Sequence, residues 1–178
     1  GYIKVQGANS REDAHRKFIE GVLTRPESLH EHLLWQLRLQ PISAPEFRIG
    51  EYLIRNLDDN GFHIEKPENL LLNLDLEGNP LENPEQSVSP EKLAVMTKMK
   101  ELIQGLDPVG TCTADYRESI LVQIKLHPAA ALRATEVVEE HFEQLEREKY
   151  QEIARAMRMS VKEVMKVKEF LRELDPFP

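Results

Sequence analysis

Helix boundaries are marked in this chain more densely than any other signal, and they leave little room for a sheet. Ser28 with Glu31, Ser43 with Glu46, and Ser89-Pro90-Glu91 each put a hydroxyl where it accepts from an amide in the first helical turn. Arg25-Pro26, Pro41, Gly105-Leu106-Asp107-Pro108, His127-Pro128 and Leu174-Asp175-Pro176 supply the stops. Between these marks apolar residues recur at helical spacing: Ile49, Leu53 and Leu57; Leu93, Met96, Met99 and Ile103; Tyr116, Ile120 and Ile124; Val138, Phe142 and Leu145. The pattern predicts helices over about 11–23 (Ser10 and Asp13 spaced as its capping box), 28–39, 43–57, 89–104, 113–126, 129–148, 150–157 and 160–174. Strand signals are nearly absent, and the expected class is all-α.

Asp58-Asp59-Asn60-Gly61 reads as a turn in which Asp59 and Gly61 shape the loop, and the Phe62-His63-Ile64 that follows is too short to found a sheet. From Leu70 to Val88 the helical rhythm lapses and Gly78, Pro80 and Pro84 appear, which reads as a linker. The expected organisation is a tail or linker with a short helix over 1–24, a first helical subdomain over 25–69, the linker over 70–88, and a second helical subdomain over 89–178. That second part ends in a helix-turn-helix-like pair.

A length of 178 residues suffices for one substantial core or two modest ones. Lys and Arg number 23 against 31 Asp and Glu, a formal charge of −8 that argues against a general nucleic-acid coat. No apolar run approaches the roughly 18 residues of a bilayer span. The single cysteine, Cys112, cannot form an internal disulfide and suits a reducing compartment. A cytoplasmic protein without membrane association is expected.

Signatures of catalysis are missing. There is no glycine-rich phosphate loop, and Cys112 has no motif of a nucleophile around it. His30 and His32 stand about 200° apart around a helix and cannot share a metal on one face. Asp58–Gly61 and Asp75–Asn79 lack the alternate oxygen ligands of a calcium loop and read as turns. The acidic run Glu136, Glu139, Glu140, Glu143, Glu146 reads as a solvated face or a stripe for a basic partner. Neither catalytic residues, metal nor cofactor are expected.

Two features stand out. On the helix after Ser28, Leu29, Leu33, Leu37 and Leu34 share one side while Trp35 and Leu39 fall on the other, which requires either a second internal surface or a partner. In Tyr150–Leu174, Ile153, Ala154, Met157, Met159, Val164 and Val167 occupy the packing positions of a helix-turn-helix, with Arg158 where a turn glycine is usual. Residues 149–174 carry seven basic side chains against four acids, and Lys162 and Lys166 are candidates for contact with DNA or an acidic protein surface; plain three-helix packing is the alternative.

Several ordered motifs resemble one family. Residues 25–37 (Arg-Pro-Glu-Ser-Leu-His-Glu-His-Leu-Leu-Trp-Gln-Leu) resemble the opening of the core-binding region of the sigma-54 class of bacterial transcription factors. The Leu57-Asp58-Asp59-Asn60-Gly61-Phe62 turn is similar to that family's leucine, acidic pair, glycine, aromatic element. Leu106-Asp107-Pro108-Val109-Gly110, the run from Asp115 to Gln123 and the Leu174-Asp175-Pro176 ending continue the resemblance in order. The family's arginine ahead of the aspartate matching Asp115 is replaced here, where Cys112-Thr113-Ala114 stand.

The resemblance implies a non-catalytic module that attaches a sigma factor to core RNA polymerase through its β and β′ subunits. Promoter DNA is then bound mainly by other parts of the longer factor, and an ATP-hydrolysing activator acts on that whole protein. Trp35, Arg38 and Leu39 in the first half, and Asp115, Arg117 and Glu118 in the second, are the expected polymerase contacts. Internal packing and capping are the other reading of the second set. Asp107, Pro108 and Gly110 are expected to shape their loop. The rival function is an autonomous DNA-binding regulator using the helix after Ser160.

Overall fold

The computed structural model describes residues 28–174, so the expected helix over 11–23 and the final Asp175-Pro176 lie outside the described residues. Eight helices occur among them: α1 (Leu29–Arg38), α2 (Ala44–Arg55), α3 (Pro67–Leu71), α4 (Pro90–Gln104), α5 (Tyr116–Leu126), α6 (Ala134–Glu146), α7 (Tyr150–Met157) and α8 (Val161–Arg172). The only ladder pairings among the described residues are isolated bridges that tie loops together, so the chain is all-α.

The boundaries follow the caps. Ser28, Ser43, Ser89 and Ser160 each accept from the amide three residues on, and Ser43 with Glu46 forms the full reciprocal box. Asp115 caps α5 in the same way, which moves that helix start from the expected 113 to Tyr116. α6 begins at Ala134 and not at Ala129, because Arg133 adopts a left-handed backbone (φ 63°). Its guanidinium donates to the Met157 carbonyl at 2.9 Å, so a tertiary anchor overrides the local preference of the alanine run for helix.

Apolar burial gathers in two cores. The first joins Leu33, Leu34 and Leu37 of α1, Ile49, Leu53 and Ile54 of α2, Leu71 and Leu74, and Met96, Met99 and Ile103 of α4. The second joins Ile120 and Ile124 of α5, Val137 and Val138 of α6, Ile153 and Met157 of α7, and Val164, Val167 and Phe170 of α8. α4 therefore packs with the first half, and the linker expected over 70–88 is corrected. That stretch is a folded loop whose Leu71 and Leu74 are buried. Its turn at Asp75 is closed by the carboxylate, which accepts from the amides of Glu77 and Asn79 at 2.9 and 2.8 Å. Lys92, 2% exposed, donates its ammonium to the Leu71 and Leu74 carbonyls, each at 2.7 Å, and to the Glu85 carboxylate. Leu93, expected to share the buried stripe of α4, is instead exposed.

The joint between the cores is the 110–113 loop. Cys112 donates its amide to the Gly61 carbonyl (2.8 Å), and His63 donates its own to Thr113 (2.9 Å). Gly61 has φ 89°, and a methyl there would meet the Thr111 side chain at 2.9 Å. In the turn before it, the expected shaping role of Asp59 belongs to its neighbour: the Asp58 carboxylate accepts from the amides of Asn60 and Phe62 at 2.8 and 3.0 Å, while Asp59 faces solvent.

Gly110 is required twice over. Its φ is 99°, and a Cβ would lie 2.6 Å from Ser119 Oγ and 3.0 Å from Gln123 Cγ on α5. Gly110→Ala is expected to cost about 2–4 kcal/mol, combining backbone strain with overpacking. Urea unfolding checks this, and an unchanged midpoint would contradict the close approach of α5 to the loop.

Candidate partner-docking surface

α1 buries one side completely and leaves the other bare. Leu33 and Leu37 are fully buried against α2, whereas Trp35 and Leu39 are 56% and 66% exposed. At 100° per residue, Trp35, Arg38 and Leu39 fall within an arc of about 100°. Of the two sequence alternatives, a second internal surface is not formed over these side chains among the described residues. Arg38 lays its guanidinium over the Phe47 ring of α2, 6.0 Å from the centroid, which holds a cation beside the apolar pair.

The loop after α4 is fastened to the same helix. The Gln36 side-chain amide donates to the Asp107 carbonyl and its oxygen accepts from the Asp107 amide at 2.8 Å. His32 Nε2 lies 2.9 Å from the Asp107 carboxylate, and the His32 ring stacks beside Trp35 (centroids 6.5 Å apart, planes 13° from parallel). Asp107 precedes Pro108 across a cis peptide bond. The structure thus brings together residues of the 25–37 and 106–110 motifs. Sequence reasoning missed this clasp, because a pairing across 71 positions leaves no local period. His30 is separate from it, with Nε2 at 2.6 Å from the Leu57 carbonyl.

The second expected contact set is placed differently. Asp115 accepts from the Glu118 amide at 2.9 Å, and the Glu118 carboxylate accepts from Ala114, so both hold the start of α5. Arg117 reaches α6 and donates to the carbonyls of Val138 and Glu139. Those carbonyls sit just before His141, whose φ of −135° kinks α6. These three side chains do not join Trp35, Arg38 and Leu39 in one patch.

α7 and α8 are joined by three residues, with Arg158 left-handed at φ 55° where the sequence pattern wanted glycine. Ile153, Ala154, Met157, Val164 and Val167 are buried between the two helices and their neighbours, as the pattern required. Lys162 and Lys166 are exposed on α8, but the next turns of that face carry Glu169 and Glu173, also exposed. A phosphate backbone would meet two acids beyond the two lysines.

Chemical groups elsewhere are sequestered or scattered. Burial pushes the Cys112 thiol up to about 12, far from a reactive range. Burial also holds His63 below its ordinary value, helped by Lys100. The hollow between α5, α6 and α8, about 320 Å³, is lined by Tyr116, Ile120, Phe142, Leu145, Tyr150 and Leu171 together with Glu146, Glu148, Lys168 and Arg172. Among the described residues no three His, Cys, Asp or Glu side chains gather as metal ligands, and no helix is long and apolar enough to cross a membrane.

Comparison with known proteins gives this surface a context. Residues 18–178 match the family model described as Sigma-54 factor, core binding domain. The chain is similar to the RNA polymerase sigma-54 factor of Pseudomonas aeruginosa (strain UCBPP-PA14), 29% identical over 155 residues, covering 85% of this chain and 29% of that protein. It is 30% identical over 156 residues to the same factor of Xanthomonas euvesicatoria, covering 85% of this chain and 30% of that protein. To the factor of Escherichia coli (strain K12) it is 22% identical over 157 residues, again covering 85% of this chain and 30% of the relative. The chain thus spans about 30% of the length of the curated relatives it matches. With the match running through both cores and the loop that joins them, the chain belongs to the family of sigma-54 factor core-binding domains.

Proposed function

We propose that this chain docks a sigma-54 factor on core RNA polymerase and does so without making or breaking a bond. The observation that carries the reading is the bare side of α1, where an indole and a leucine are exposed beside an arginine, opposite the buried Leu33, Leu34 and Leu37. A protein interface needs an apolar centre with a charged rim, and Trp and Arg are the side chains most enriched at its energetic centre. Trp35 and Leu39 supply the centre; Arg38 and Asp107 supply the rim.

Asp115, Arg117 and Glu118 act in this reading by holding α5 in place. The β and β′ subunits are the surfaces this module meets, in the bacterial cytoplasm. Promoter DNA and the ATP-hydrolysing activator engage the longer factor. The mixed charge of the outer α8 face favours protein over duplex as the neighbour of Lys162 and Lys166.

Titration of the 178-residue chain against purified core polymerase tests the reading. Saturable binding in the micromolar range or tighter is expected. Absence of binding, with the chain folded by circular dichroism, would remove it.

A further inference from the structure

An exposed indole is an effective anchor only when it is already held in its bound orientation, because ordering a free side chain subtracts from affinity. Trp35 is more than half exposed, yet three groups in series lead from the rigid part of the fold to its ring. The Asp107 backbone is pinned at both its amide and its carbonyl by the Gln36 side chain. The Asp107 carboxylate in turn takes a hydrogen bond from His32 Nε2 at 2.9 Å, which fixes how the ring lies. The imidazole then presents its face alongside the indole, one helical turn away on α1, with the two planes within 13° of parallel.

From this geometry we infer that His32 and Asp107 are positioning residues for Trp35, setting the orientation in which it docks. The inference rests on the docking reading above. It adds to that reading that the loop after α4, far from α1 in sequence, sets the affinity of an anchor it does not contain. The Asp107 side chain is 82% exposed and has no core to hold up, so its role is separable from folding. Removing the carboxylate also leaves both Gln36 bonds to the backbone intact.

The sole tryptophan makes the inference directly observable. Time-resolved anisotropy of Trp35 in the free chain reads its local mobility without any partner. Asp107→Ala is expected to enlarge the fast component, Asp107→Asn to leave it near the parent value because the amide oxygen still accepts, and His32→Ala to enlarge it further. Core polymerase affinity should fall about 3- to 10-fold in Asp107→Ala and recover in Asp107→Asn. In a Trp35→Ala background the Asp107→Ala change should lose its effect on affinity.

Unchanged anisotropy in Asp107→Ala would overturn the positioning role and leave the docking reading standing. An equal affinity loss with and without Trp35 would also overturn it, since Asp107 would then act by its own contact. Full affinity of a folded Trp35→Ala chain would instead overturn the docking reading, and with it the use to which the clasp is put.

Discussion

Trp35→Ala lowers affinity for core RNA polymerase by about 30-fold or more, equivalent to about 2 kcal/mol, while the unfolding midpoint stays close to the parent value. Both halves follow from where the ring sits. The indole is on the bare side of α1, so truncation opens no cavity and exposes no core group; Leu33, Leu34 and Leu37 keep their burial. Its area is withdrawn from water only when another macromolecule covers it. Leu39→Ala is expected in the same direction with a smaller effect, and the parent and variants are compared by titration against core polymerase alongside urea unfolding. A large drop in midpoint with affinity retained would assign the ring to the fold of the chain.

Lys92→Ala shows the opposite signature, a stability loss of about 3–5 kcal/mol with no direct contact to a partner lost. The ammonium is the shared donor for two buried carbonyls and a carboxylate; without it the Leu74 oxygen loses its donor and the Leu71 oxygen keeps only the Leu74 amide, at 3.2 Å. Lys92→Met keeps most of the stem packing and should still lose most of that stability, since the orphaned Leu74 carbonyl and the unpaired Glu85 carboxylate dominate. Cys112 provides a second readout. It belongs to the same core, and burial suppresses its thiolate, so alkylation requires opening. The parent is expected to react slowly under native conditions and Lys92→Ala much faster. A Lys92→Met chain as stable as the parent would show that the charge is dispensable there.

The helices that carry their own punctuation were legible from the residues. α1, α2, α4 and α8 begin at a serine that accepts from the amide three residues on, a rule that needs no tertiary information. The two-sided apolar pattern of α1 was legible for the same reason, being a matter of angle around one helix. What escaped was non-local. The 70–88 stretch looks like a linker by composition, and what lets its backbone be buried is a set of contacts with no local period: amides of Leu81 and Glu85 returning to Asn73 and Leu72, and the Lys92 ammonium on Leu71 and Leu74. The start of α6 is set by an arginine reaching the end of α7. The turn expected to rest on Asp59 is closed by its neighbour Asp58, because which carboxylate faces the returning amides is a matter of backbone direction that composition does not carry.

The most direct measurement of the central claim is oxidative footprinting of Trp35 by hydroxyl radicals, read by mass spectrometry on the chain alone and bound to core polymerase. An indole that forms the centre of the interface should be oxidised readily in the free chain and strongly protected in the complex, with exposed Ile64 and Leu132 on other segments serving as internal references. Equal oxidation of Trp35 in both states, with binding saturated, would contradict the claim.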